Sequence, residues 1–486
     1  MSTAPARPMP LEPPVSITTL SSRSATRRVW HPPGVAAPQT RRGVRRYGRC
    51  HTLALGFGAM TTNNGASSSE AETVRSHLIA AAAESRGEQF GLDFDLIAHL
   101  CAYRHEAVDL AAEQLIIEQI AAHWTRGWQP AELVRQGRLG CHSAPAARLV
   151  ALAVAVDHAG RRSVTMHQRW TAQVESLDLP RVRAGLGLAG QWVRDERLDR
   201  TEVVAAFVDV LGNLTYLPPL DMLLPPPGTG DVAPPTTWFA DLFGATGRES
   251  DPLLGRIRNM LAKAESTTFE AEALAFTAKA QELMTRHAID AALVQSGAPN
   301  RHEQPTALRF PIEAPYVEAK AQLLHTVAQA GRCRAVLHVS LAMCTVVGFS
   351  SDLASVELLF TSLLVQAQTA MDDAAQAAHA GTRARTKAFR SAFLVSYTSR
   401  IDERLRQINA AVFAEVEADQ GAGFLPVLRS RAEAVDEFIT ERFGELTSRK
   451  GRRSFDAAGW ASGRAAADNA QLAAAHLDPG DLADAG

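Results

Sequence analysis

The sequence predicts a mainly α protein: an N-terminal helical domain, a central helical hairpin and a C-terminal α/β unit of βαββα order with long helices. Three observations lead there. Alanine is abundant while aromatic residues make up only 6% of the chain, a balance that favours helices over strands. Apolar residues recur at helical spacing from Glu70 to about Asn213 and again from Asp251 to Asp290. Beyond Gly297 the pattern changes to short valine-rich runs separated by long helical stretches.

Residues 1–69 are rich in proline, serine and arginine, show no apolar periodicity, and are expected to be a disordered basic tail. They carry nine arginines and one glutamate, a net of +8, which leaves about −10 for the rest of a chain whose total is −2. Met60-Thr-Thr-Asn-Asn is an alternative start, upstream of which the residues would be a translated leader. A body this acidic argues against a blanket coating of nucleic acid. Five scattered cysteines with no CxxC exclude a disulfide framework and suit a reducing cytoplasm. No uninterrupted run of eighteen apolar residues predicts a membrane span.

Residues 70–215 read as a helical domain. Phe94, Ile97, Ala98 and Cys101 share one face, and Val108, Leu115, Ile116 and Ile120 continue it in the next helix, which should end at Gly127. Trp128-Gln129-Pro130 restarts the chain into a short helix through Val134, with Trp124 and Trp128 packing the corner. Residues 216–248, with PPL, LPPPG and APP, form a stiff linker. Asp251-Pro252 then opens the hairpin of residues 251–290: Leu253, Leu254, Ile257, Met260 and Leu261 make one face, and Thr267 and Glu270 have capping-box spacing before a second helix with Phe269, Ala273, Phe276, Ala280, Leu283 and Met284.

Residues 305–475 should hold the α/β part. A strand is expected at Leu308 to Ile312, a helix at Tyr316 to Ala330, and a hairpin of Arg334 to Val339 and Cys344 to Phe349. Ser351-Asp352 caps a long helix bearing Leu353, Val356, Leu359, Phe360, Leu363 and Leu364. Further helices are expected from about Thr386 to Val416 and from Arg429 to Thr447, with residues 476–486 a tail.

Within the hairpin, Ala262-Lys263-Ala264-Glu265-Ser266-Thr267, Glu272-Ala273 and Thr277 to Met284 resemble the signature of the domain-of-unknown-function family 2786 of bacteria and phages. Glu270 stands where that family usually has proline. Tyr316 to Leu324, Val347-Gly348-Phe349, Phe389 to Leu405, Gly459-Trp460 and Gly463-Arg464 resemble its usual partner, domain of unknown function 7168. The resemblance implies no reaction.

No set of residues assembles a catalytic or metal site, and none calls for a cofactor. Gly185-Leu-Gly187-Leu-Ala-Gly190 matches a dinucleotide loop in letters, but Leu179 to Arg183 is a poor strand and a flexible bend is the ordinary account. Cys141-His142 lies in a glycine-bounded loop without an evident base. His338 and Cys344 face each other across the expected hairpin, two of the four ligands that a zinc site needs.

Basic residues form the more coherent pattern. Arg256, Arg258, Lys263 and Lys279 lie off the apolar faces of the hairpin. Arg383, Arg385, Lys387 and Arg390 open a long helix that also carries Arg400, Arg404 and Arg406. Arg449, Lys450, Arg452 and Arg453 form a run before Asp456. Such clusters suit phosphate contacts, against the plain alternative of solvated faces. The leading expectation is a cytoplasmic, non-catalytic, nucleic-acid-associated protein with no membrane contact. The alternatives are a metal-assisted hydrolase joining Glu272, Lys279, His287 and residues near His338, and a helical interaction scaffold.

Overall fold

The computed structural model describes residues 16–20, 65–85, 92–161, 164–229, 304–377, 386–444, 446–450 and 456–470, with isolated positions between 257 and 289. The chain is mainly α and divides into two compact units: residues 25–166 with 173–230, and residues 1–24, 167–172 and 231–486. The hairpin of residues 251–290, its Thr267 and Glu270 included, lies mostly outside the described residues. Ile257, Asn259, Met260, Lys279, Ala280, Glu282 to Arg286, Ala288 and Ile289 are described and helical.

The first unit contains helices α1 (Gly65–Glu84), α2 (Phe94–Cys101), α3 (His105–Thr125), α4 (Pro130–Gly140), α5 (Ala144–Gly160), α7 (Leu188–Glu196) and α8 (Arg200–Tyr216), and part of α6 (Gln168–Ser176). Helix α8 is its axis. Every residue from Ala206 to Leu214 is buried, so α8 is enclosed on all sides, as a helix apolar around most of its circumference must be. Asp199 caps its start and Glu202 reaches back to the Asp199 N–H at 3.0 Å.

Several polar groups inside this unit are matched. His142 donates to Asp209 through its backbone N–H and its ring Nδ1, both at 2.7 Å. The Nδ2 of Asn213 donates to the Gln136 carbonyl. Gly127 adopts a left-handed φ of 84° just past the end of α3, where a Cβ would strike the Leu220 carbonyl. Trp124 and Trp128 are buried at this corner and donate to Asp157 and to the Pro218 carbonyl. The helix expected to stop at Val134 runs on to Gly140, because Leu133, Val134 and Gln136 stay buried through its second turn.

The second unit is built on a five-stranded sheet of order β2-β4-β3-β1-β5, from β1 (Ser16–Leu20), β2 (Thr306–Pro311), β3 (Arg334–His338), β4 (Met343–Gly348) and β5 (Leu446–Lys450). The expected βαββ order is present: β2 leads into α9 (Val317–Ala330), and β3 and β4 form an antiparallel hairpin around a 3-10 turn at Val339–Leu341. Two expectations are corrected. Ser16–Leu20, inside the tail expected to be disordered, runs parallel to β3 and antiparallel to β5, so the sheet gains two strands. Pairing in β3–β4 sets Leu337 opposite Cys344 and His338 opposite Met343. His338 and Cys344 therefore lie on opposite faces and cannot share an ion.

Three long helices follow: α10 (Ser350–Ala377), α11 (Lys387–Gln420) and α12 (Phe424–Phe443), the last set earlier than the expected Arg429 to Thr447. Ser350–Ala374 is long and apolar enough to cross a membrane by length and composition. Its Leu353, Val356, Leu359, Phe360 and Leu363 nevertheless pack in the core with Leu324, Val327, Phe393 and Tyr397. Family-like hairpin residues Ile257, Ala280 and Met284 join that core, and Ile289 packs with Val412, Val416 and Phe424.

Helix α13 (Ala457–Asn469), for which the sequence predicts no defined element, lies along α11. Gly459 and Gly463, one turn apart, meet it: a Cβ at either would collide with backbone, at Phe389 or at Phe393, and at Gly463 also with the Ser396 hydroxyl. Replacing Gly463 with alanine should cost about 1–3 kcal/mol through overpacking. Urea unfolding checks this, and an unchanged midpoint would contradict it.

His123 generates a second expectation. Its Nε2–H donates to the Leu214 carbonyl at 2.9 Å, and burial lowers its pKa to about 3, with the Arg126 charge adding to the effect. The folded ring stays neutral while the unfolded ring takes a proton below about 6.5, so stability falls as pH drops from there. By pH 5 the loss through this group should be about 2 kcal/mol. Unfolding of His123→Gln at pH 7 and pH 5 should show a pH dependence flatter by that amount.

Candidate functional site

The basic residues singled out in the sequence do not all meet the same fate. Arg256, Arg258, Lys263, Arg383, Arg452 and Arg453 lie outside the described residues. Lys279 is exposed and pairs with Glu282 at 2.9 Å, and Arg286 bridges Glu282 and Glu415, so this helical segment neutralises its own charge. Lys279 is thus engaged with Glu282, while Glu272 and His287 of the hydrolase reading lie outside the described residues.

Further along α11 the arginines are structural. Arg400 is held by Glu403 and Asp468, and Arg406 by Asp402. Arg404 is buried and its Nη1 donates to the carbonyls of Ala467, Asp468 and Ala470. These are the orphan acceptors at the C-terminal end of α13, where a cation also meets the negative end of the helix dipole. Arg464 donates back to Glu403 from α13. Arg400 and Arg404 therefore fasten α13, while Arg406 pairs within α11.

The remaining described residues of the two C-terminal clusters lie in the first turn of α11 and at the end of β5. Thr386 caps α11 by accepting from the Phe389 N–H at 3.1 Å, which places Lys387 and Arg390 in the first turn; Lys387 is exposed and Arg390 half-buried. Asp456 caps α13 through the Gly459 N–H at 2.8 Å, and Gly459 abuts the Phe389 backbone. Arg449 and Lys450 end the edge strand β5, paired with Ile17 and Ser16. The chain from Lys450 to Asp456 can span at most about 20 Å. The first turn of α11, with Lys387 and Arg390, abuts the first turn of α13, and β5 ends six residues before Asp456 in sequence.

A second constellation surrounds Asp352. It was expected to cap α10; instead it lies inside the first turn, buried, with Arg332 at 3.1 Å and Arg431 at 3.6 Å from its two oxygens. Arg431 also sits 3.6 Å over the Phe349 ring. Arg332 has a left-handed φ of 59°, following a Gly331 whose Cβ would strike Val356. Met284 and Thr285 from the family-like segment close one side of a small cleft here, and Thr285 donates to Asn409, which donates to the Ala330 carbonyl. The neighbouring Cys333 thiol is pushed well up by burial and by Asp352, which disfavours the thiolate that a nucleophile needs. One carboxylate holds both guanidinium groups, so the cluster ties the α9–β3 connection to α10 and α12.

Other motifs resolve in structural terms. The glycine-rich 185–190 segment follows irregular chain, and the N-terminus of α7 is capped by the Glu113 carboxylate on the Ala189 N–H at 3.1 Å. That carboxylate occupies the position a pyrophosphate would need. His142 is oriented by Asp209, while Cys141 ends α4. His338 bonds Thr345 at 2.8 Å, and desolvation lowers its pKa to about 4. Sequence reasoning missed Glu357 on α10, whose carboxyl burial raises to about 7; nothing in a helical heptad marks such a position.

Residues 253–291 match the family described as protein of unknown function (DUF2786). No curated protein and no solved structure matches the chain. Among the described residues of the matched span, Met284 and Thr285 reach the Asp352 cleft.

Removing the Asp352 carboxylate would leave two buried guanidinium groups facing each other. Asp352→Ala should therefore destabilise the chain by about 3–5 kcal/mol. Denaturant unfolding measures it, and a change under about 1 kcal/mol, the range of an exposed ion pair, would refute the locking role.

Proposed function

We propose that this chain is a non-catalytic, nucleic-acid-associated protein whose contact surface is built around the first turns of α11 and α13. The observation that supports the reading is the abutment of Gly459 on Phe389, which joins the first turn of α11, with Lys387 and Arg390, to the first turn of α13, the helix that follows the 449–453 run in sequence. Lys387 is exposed there, and Arg449 and Lys450 belong to the edge strand β5. Arg383, Arg452 and Arg453 extend the same two clusters in sequence. Phosphate contacts of this kind position a protein on nucleic acid without reading its sequence.

In this reading the hairpin cations Arg256, Arg258, Lys263 and Lys279 play a lesser part, since Lys279 already has its carboxylate. Residues 305–475 correspond to the partner domain of unknown function 7168, and the protein works in a bacterial cytoplasm.

Gel shifts of the full chain with duplex DNA test the proposal. Six to ten phosphate contacts should lower affinity by about a thousandfold or more between 50 and 200 mM salt. The combined Lys387→Ala, Arg449→Ala, Lys450→Ala variant should reduce the salt slope by about one for each phosphate it no longer touches. Absence of salt-sensitive binding by the unaltered chain would remove the proposal.

A further inference from the structure

The first unit contains a cluster that no sequence motif announces. His77 on α1, His99 in the last turn of α2 and Tyr103 just beyond it converge: the Tyr103 hydroxyl lies 3.1 Å from His77 Nδ1 and 3.5 Å from His99 Nε2. The two imidazole centroids are 4.9 Å apart, and each ring also meets the Tyr103 ring. His77 and Tyr103 are half-buried and His99 is exposed, so the cluster opens to solvent on one side.

We propose that His77, His99 and Tyr103 form a binding site for one divalent transition-metal ion of the zinc and copper class. The distances fit. Ligands about 2.0–2.1 Å from a tetrahedral ion are separated by about 3.3 Å, the edge of the tetrahedron. The two nitrogen-to-oxygen separations straddle that value. Two imidazoles on one such ion also bring their ring centres to about 5 Å. Imidazole nitrogen favours zinc, nickel and copper(II) over magnesium or calcium, and a phenol oxygen deprotonates readily beside such a cation.

Two features of the surroundings favour a cation here. Both His99 and Tyr103 stand at the C-terminal end of α2, where unsatisfied carbonyls give a partial negative charge. The Tyr103 hydroxyl contacts both imidazoles, and the two rings meet edge to face, so the side chains are already oriented and an ion would have little to order. Three protein ligands leave the fourth position on the solvent side for water, the arrangement of an open site.

The test titrates the full chain with copper(II) and, separately, with zinc. Because the chain has fifteen histidines, the comparison with variants decides, not stoichiometry alone. The unaltered chain should show a phenolate-to-copper charge-transfer band and a melting temperature that rises with zinc. His77→Ala with His99→Ala should weaken the tightest binding at least tenfold. Tyr103→Phe, which keeps the ring packing, should abolish the band while leaving the helical spectrum unchanged. If the double variant does not fold, the Tyr103→Phe comparison alone decides. Equal binding and an identical spectrum in variant and unaltered chain, or no copper band at all, would overturn the assignment.

Discussion

The C-terminal unit depends on how closely α13 can lie on α11. Two glycines one turn apart remove the side chains that would otherwise hold the helices at the 8–10 Å typical of packed pairs. Arg404 then closes the far end by satisfying three carbonyls, and the Arg400, Glu403, Arg464 and Asp468 charges tie the solvent edge. Each device supports the others. Without the glycines, Arg404 could not reach the end of α13, and a buried unpaired guanidinium would be costly. The same helix pairing sets the first turn of α11, with Lys387 and Arg390, against the first turn of α13.

The helical unit is governed by a different constraint. Its central helix is enclosed, so the polar atoms along it need internal partners. Asp209 and Asn213 find them on α4 and the α4–α5 connection, and the Leu214 carbonyl finds His123. These bonds fix register along α8 where apolar packing alone would allow sliding. Trp192 against Phe207, at 5.6 Å between ring centres, adds shape on the remaining side.

Much of this fold is legible in the sequence for identifiable reasons. The β3–β4 hairpin, α9 and α10 are visible because valine runs and leucine spacing report local periodicity, which their tertiary burial then matches. Strands β1 and β5 are not. Their pairing joins residues 16–20 to residues 446–450, and LTSRK has neither alternation nor apolar weight to announce a strand. The basic clusters are legible as charge, but their fates are not: Arg404 and Lys387 look alike in sequence, and only the position of α13 makes one an internal anchor and the other exposed. Gly459 and Gly463 stand out in the sequence only through the family resemblance, and the steric reason for them appears in three dimensions. The His77, His99 and Tyr103 cluster, spread over two helices, has a spacing that no ligand motif uses.

Hydrogen exchange of the full chain, with and without duplex DNA, tests most directly whether the start of α11, the start of α13 and β5 share one nucleic-acid surface. Added protection should then concentrate in all three segments together. Protection confined to the helical unit, or reaching only one of those three segments, would contradict it.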